Sequence, residues 1–314
     1  MSDIPVIDLT PLRDGGPEGL STVAREVGAA CRGIGFFAVT GHGIPADLRR
    51  AVFDISAAFF AQPDAQKRAV LHGPQTGNRG YVPVEGEALD PTKPADLKEA
   101  FNIGLDLAPD DPELLAGHKF RAHNLWPELP GFRDTTLSYF NAVWKLGVEL
   151  HRAFAADLGL AENFFAAHLD RPLATLRLLH YPAARPAVEE QRGAGAHTDN
   201  GNVTLLATDD VGGLEVRTRD GEWIDAPILP DGFVCNIGDC LMRWTNDTYV
   251  STPHRVTNTS GRERYSVAFF LDPNPDAIVD CLPTCTSALN PPKYPPIRGD
   301  DYLESRLKAT YEGH

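Results

Sequence analysis

The chain has 314 residues, 42% of them hydrophobic and 23% charged, the composition of an ordinary globular protein without repeats or low-complexity tracts. Its net charge of −14 argues against nucleic acid or an anionic membrane surface as a partner, since both would repel it. The opening MSDIPVIDLT lacks the basic stretch and apolar core of a signal peptide, and no apolar run approaches the roughly 18 residues of a membrane span. Five cysteines (Cys31, Cys235, Cys240, Cys281, Cys285) without a C-x-x-C read as reduced thiols of a cytoplasmic protein.

IPVIDL opens as a short strand. LSTVAREVGAACRGIG has helical apolar spacing, with Ser21 as N-cap candidate and glycines at its end. GFFAVTGHGI reads as a strand closed by a Gly-His-Gly turn, and AFFAQPDAQKRAVL as a helical stretch. Residues 73–104 are rich in turn formers and read as a long loop, of the kind that is functional or mobile. TTLSYFNAVWKLGVELHRAFAADLGL is a long amphipathic helix. From about residue 174 the pattern changes. ATLRLLHYP, NVTLLATD, GLEVRTR, GEWIDAPI, GFVCNIGD, YVSTPHRVTN and ERYSVAFFLDP are strand-like runs between Gly, Asp, Asn and Pro, the pattern of an antiparallel sandwich or barrel. A proline-rich tail then leads to the helical DDYLESRLKATYE. The expected division is an N-terminal helical and strand region over 1–120, a support helix over 121–173, a β core over 174–275 and a tail with a helix over 276–314, all in one integrated unit.

The chemistry concentrates in the β region. AHTDNGNVTL holds His197 and Asp199, which in a strand would share a face, with Thr198 turned away. Imidazole and carboxylate are both good ligands for a divalent transition metal; the plainer alternative is a surface histidine beside a turn-forming Asp-Asn-Gly. STPHRVTN supplies a second histidine, His254, also in a strand-like run. Two histidines and one carboxylate can occupy one face of an octahedral metal and leave three positions open, as in non-haem iron(II) oxygenases. In RERYSVAFF, Arg264, Ser266, Ala268 and Phe270 fall on one face of a strand. An Arg and Ser side by side can grip a carboxylate, although an exposed strand arginine in a surface ion pair has the same sequence.

HTDNGNVTLL, GGLEV, FVCNIGD, RWTND with YVSTPHRV, and RYSVAFF, in this order and preceded by IPVIDL and GFFAVTGHGI, resemble the isopenicillin N synthase-like iron(II)/2-oxoglutarate-dependent oxygenases over about residues 4–275. The resemblance implies a mainly β fold, a distorted double-stranded β-helix or cupin-like jelly roll wrapped by N-terminal helices and followed by a C-terminal helix. It implies His197, Asp199 and His254 as the Fe(II) ligands. Arg264 and Ser266 match the pair that binds the distal carboxylate of 2-oxoglutarate, and Tyr181 a tyrosine that helps hold this cosubstrate. Relatives often carry an asparagine two residues before that tyrosine, where this chain has Leu179. The implied activity is oxidation by O2, most often hydroxylation, of a small-molecule metabolite, with release of succinate and CO2. Iron oxidases that need no 2-oxoglutarate share the Arg-x-Ser pair, so they stay open as an alternative, as do ethylene-forming turnover of 2-oxoglutarate and a ligand sensor on the same fold.

For the substrate the sequence offers candidates only. Arg177 shares strand parity with Leu179 and Tyr181 and either faces the cavity or forms an internal salt bridge. The 73–104 segment offers Arg79, Tyr81, Glu87, Lys98, Glu99 and Phe101 from a possible lid, and Leu206, Leu214 and Phe270 are candidates for an apolar wall or for plain core. Asn236 and Asp239 are expected to support the site or shape a turn. The expected substrate is a small polar metabolite, an amino acid or other carboxylate, or a natural-product intermediate. The expected assembly is a monomer or homodimer.

Overall fold

Apolar strands separated by Gly, Pro and Asp turns build two sheets, seen in a computed structural model that describes residues 4–73, 75–90, 92–183 and 193–311, with side chains to 308. In chain order the first half contains β1 (Val6–Asp8), α1 (Thr10–Asp14), α2 (Gly16–Arg32), β2 (Phe36–Thr40), α3 (Ala46–Phe60), α4 (Asp64–Arg68), β3 (Gly80–Val82), β4 (Glu99–Gly104), α5 (Pro112–Leu115) and α6 (Phe132–Asp157). The second half contains β5 (Thr175–Tyr181), β6 (Ala194–His197), β7 (Val203–Thr208), β8 (Leu214–Arg217), β9 (Trp223–Asp225), β10 (Phe233–Ile237), α7 (Asp239–Trp244), β11 (His254–Val256) and β12 (Arg264–Leu271). The short pair β13 (Ile278–Val279) and β14 (Ile297–Arg298) precedes α8 (Gly299–Tyr311).

The large sheet runs β1-β2-β10-β7-β12-β5-β4-β3, and the small one β6-β11-β8-β9. Together they form the jelly roll, with the cavity lined from both sheets. The outer face of the large sheet is covered by helices. Leu176, Leu178, Leu205, Phe269 and Leu271 join residues of α2, α3 and α6 in one buried cluster. Gly147 of α6 sits so close to this face that a Cβ there would come within 2.6 Å of Leu271 Cδ2, so glycine lets helix and sheet touch. Both faces of the central strands are therefore buried, one under helices and one around the cavity.

Three sequence expectations change. Ser21 lies inside α2, which starts at Gly16 and is capped by Gly15, so it is not the N-cap. AFFAQPDAQKRAVL is not one helix: α3 ends at Phe60, and Pro63 caps the new α4 in an extended conformation, because proline cannot continue the helix before it. The 73–104 segment is not all loop, since Glu99–Gly104 is a strand paired along β5 and all six of its residues are buried. Burial on both faces removes the polar–apolar alternation that would have marked it.

Register then decides where each candidate points. Ala100 pairs with Leu179 and Asn102 with Arg177, on the cavity side, while Phe101 pairs with Leu178 on the helix side. Phe101, expected as a substrate contact, is instead core: it is fully buried and packs edge-on against Phe59 and Phe132. Phe101→Ala is expected to cost about 3–5 kcal/mol of stability. Urea unfolding would show it as a lowered midpoint, and an unchanged midpoint would contradict the packing.

Candidate metal centre

His197 ends β6 and stands opposite His254 on the antiparallel strand β11, with ring centroids 4.3 Å apart. Each ring is oriented by its own backbone. His197 Nδ1–H donates to the Gly195 carbonyl (2.8 Å) and His254 Nδ1–H to the Thr252 carbonyl (3.2 Å). This leaves both Nε2 lone pairs facing Asp199, whose Oδ1 lies 3.7 Å from one and 3.6 Å from the other. The three ligand atoms lie within 4.8 Å of one another. Burial, and then the neighbouring His254, push the His197 pKa down to about 4, so its imidazole is neutral and ready to coordinate at neutral pH.

Asp199 reaches this point by a route the sequence reading did not foresee. The strand ends at His197, so period-two alternation does not carry Asp199 to the metal face. A turn does. The amide of Asp239 donates to the Asp199 carbonyl (2.8 Å), and that of Cys240 to the carbonyls of Asn200 and Gly201 (both 3.1 Å). Gly238 lets the turn lie against the start of α7, since a Cβ there would meet the Gly201 carbonyl oxygen at 2.2 Å. Asp199 Oδ2 accepts hydrogen bonds from Thr204 Oγ1 (2.5 Å) and Asn236 Nδ2 (2.8 Å), which fixes Oδ1 toward the histidines. Burial opposes ionisation of Asp199, yet the facing imidazoles and these hydrogen bonds hold its pKa below the ordinary carboxylate value. Two imidazole nitrogens and one carboxylate oxygen, oriented by hydrogen bonds of the protein itself, suit a divalent iron.

One end of the cavity is built for an anion. Arg264 is fully buried; its Nε donates to the Gly212 carbonyl (2.7 Å), its Nη1 to Ser266 Oγ (3.2 Å), and its guanidinium carbon lies 4.7 Å from the centre of the Tyr181 ring. Its Nη2 has no hydrogen-bond partner among the described residues. A buried guanidinium with a vacant donor is costly unless an acceptor completes it, and the distal carboxylate of 2-oxoglutarate has the matching charge and fork. Leu179, where relatives often carry asparagine, lines the cavity beside Tyr181.

The cavity between the sheets has a volume of about 360 Å³, enough for a small molecule. Leu206, Leu214, Phe270, Arg177, Glu87 and Lys98 line it as the sequence proposed. Four other candidates, Phe101, Tyr81, Glu99 and Arg79, do not. Phe101 lies in the core, as described above. Tyr81 pairs with it on the helix side and donates to Glu99 Oε2 (2.6 Å); Lys67 donates to the same oxygen and His180 Nδ1 meets Oε1, so Glu99 is committed within the fold. Arg79 is buried against Gly104 and donates to the carbonyls of Gly77 and Phe120. Arg177 satisfies both alternatives at once, lining the cavity while ion-paired to Glu87. Sequence reading missed Asn102, Thr204, Asp272 and, on α8, Leu303, Arg306 and Leu307. Strand parity from Leu206 and Phe270 could have found Thr204 and Asp272; nothing in the pattern brings α8 to the site.

Residues 4–129 match the family described as non-haem dioxygenase in morphine synthesis N-terminal, and residues 172–273 the 2OG-Fe(II) oxygenase superfamily. A 2-oxoglutarate-Fe(II) type oxidoreductase of Emericella nidulans is 37% identical across 98% of this chain and 90% of its own. The chain belongs to the 2OG-Fe(II) oxygenase superfamily. This oxygenase is also similar to the homoarginine-6-hydroxylase of Oryza sativa subsp. japonica, 40% identical over 90% of this chain and 89% of that one. Among solved structures, a full-length Neurospora crassa protein in complex with alpha-KG and thymine is 35% identical, covering 98% of this chain and 97% of its own, with a TM-score of 0.87. The chain is an iron(II)- and 2-oxoglutarate-dependent dioxygenase that acts on a small molecule with O2 as co-substrate. No helix among the described residues is long and apolar enough to cross a membrane.

Proposed function

We propose that this dioxygenase hydroxylates a small polar metabolite, with His197, Asp199 and His254 holding iron(II) and Arg264, Ser266 and Tyr181 holding 2-oxoglutarate. The observation that carries this reading is that the three possible ligand residues line one cavity whose wall includes Tyr181, against whose ring the buried Arg264 stacks with an Nη2 that has no partner among the described residues. When bound, iron(II) and 2-oxoglutarate supply the oxidising chemistry with O2, and succinate and CO2 leave.

The chain's own residues orient and exclude. The Gly195 and Thr252 carbonyls hold the imidazole tautomers, Thr204 and Asn236 hold the carboxylate, and Arg264 anchors the cosubstrate's far end. Leu206, Leu214 and Phe270 keep water from the reacting C–H. A substrate carboxylate at Arg177 would have to compete with Glu87, so Arg177 serves better as a fixed wall than as an anion receptor. Relatives named for homoarginine, and solved with thymine, support a small polar substrate. Five unpaired thiols suit a reducing compartment such as the cytoplasm.

The test is anaerobic. Iron(II) and then 2-oxoglutarate are added to the apoprotein, and the weak visible charge-transfer band of the bidentate chelate is recorded. The band is expected, followed in air by succinate release that a true substrate stimulates and by incorporation of oxygen from labelled O2 into the product. Bound iron without the band would remove 2-oxoglutarate from the site.

A further inference from the structure

Outside the triad, the charged groups that line the cavity are nearly all matched. Glu87 takes Arg177 and Lys98, Lys98 also takes Asp96, and Arg306 takes Asp239. Asp272 is the exception. It is 6% exposed, lines the cavity, and makes no hydrogen bond or ion pair through its carboxylate with any described residue. It follows Phe270 by two residues, so it extends the cavity-facing row of Ala268 and Phe270 just past the end of β12. The chain makes room for it, because a Cβ at Gly201 would come within 2.7 Å of Asp272 Oδ1.

A buried carboxylate without a cation is unfavourable. Burial works against the charged form of Asp272, and a positive charge beside it would restore that form. The surrounding wall is apolar on one side. Leu303 and Leu307, four residues apart on α8, and Phe270 line the same cavity.

We propose that Asp272 is the subsite for a positively charged nitrogen of the substrate, an ammonium or guanidinium carried on an apolar stem that lies along Phe270, Leu303 and Leu307. The proposal rests on the reading of this cavity as the substrate chamber. It makes Asp272 a determinant of specificity with no part in binding iron or 2-oxoglutarate.

The test uses the anaerobic iron(II)–2-oxoglutarate holoprotein and isothermal titration with butylguanidinium and butylammonium, each set against the neutral butylurea. Wild type is expected to bind the two cations about tenfold or more tightly than the urea, the scale of one charge-assisted hydrogen bond. Asp272→Asn is expected to erase that preference while the chelate band and the melting temperature stay in place. A wild type that binds no cation, or binds cations and urea alike, overturns the proposal, and so does an unchanged preference in Asp272→Asn. The wild-type comparison stands alone if the variant does not fold. Failure of the chelate band to form in wild type would instead defeat the reading of the site itself, so the two failures are told apart.

Discussion

Replacing Asp199 by alanine is expected to abolish turnover and to strip the protein of iron under conditions where wild type keeps it. Asp199 is the one anionic group of the triad, and its Oδ1 faces both Nε2 atoms. Loss of a residue that merely supports a metal ligand costs about ten- to a hundredfold in affinity or activity, so loss of the charged ligand itself should exceed about a hundredfold in iron affinity. The same substitution leaves Thr204 and Asn236 without their acceptor, so neighbouring polar groups lose order as well. Iron content after equilibration with a graded chelator, together with succinate release, measures the effect. A variant that holds iron like wild type would take Asp199 out of the ligand set.

The second large effect is expected from Arg264→Ala. The guanidinium is fully buried, with Nε and Nη1 satisfied by Gly212 and Ser266 and with Nη2 unpartnered among the described residues. Removing one half of a buried charge pair costs about 2–5 kcal/mol. At roughly 1.4 kcal/mol per decade, the apparent affinity for 2-oxoglutarate should fall about 30- to several-thousand-fold, while iron binding is kept. Arg264→Lys should recover only part of the loss, because an ammonium keeps the charge but not the planar fork. The readout is KM for 2-oxoglutarate at saturating iron; an unchanged value would remove Arg264 from the cosubstrate site.

Much of this site was legible in the chain because strands impose a period of two. Arg264, Ser266, Ala268 and Phe270 do fall at alternate positions of one strand, with Ala268 and Phe270 on the cavity wall, whereas nothing in the spacing of His197 and His254 showed that they stand on neighbouring, paired strands. The ordered motifs added the cosubstrate, which spacing alone does not reveal. Legibility failed where the period is hidden or broken. In β4 both faces are buried, so Phe101 and Asn102 carry no outward sign that one faces the helices and the other the cavity. Asp199 lies beyond its strand, and the turn that delivers it depends on Gly238 and on the amides of Asp239 and Cys240, far along the chain. Leu303, Arg306 and Leu307 reach the cavity only through tertiary packing of α8.

The strand order of the large sheet also bears on how the chain can be made. β10, β7, β12 and β5 of the second half are flanked by β2 and β1 on one side and by β4 and β3 on the other, all from the first 104 residues. β1 and β2 pair with each other, but the second edge of β2 is filled by β10, where Val39 meets Phe233, so that edge waits for a segment almost two hundred residues along the chain. Such distant pairing closes long loops and slows folding, and it leaves unsatisfied strand edges open to other chains in the meantime. A nascent chain of this kind depends on something holding its edges apart until β10 emerges, and α2 and the helices that follow, forming first from local contacts, are the parts of the chain able to cover them.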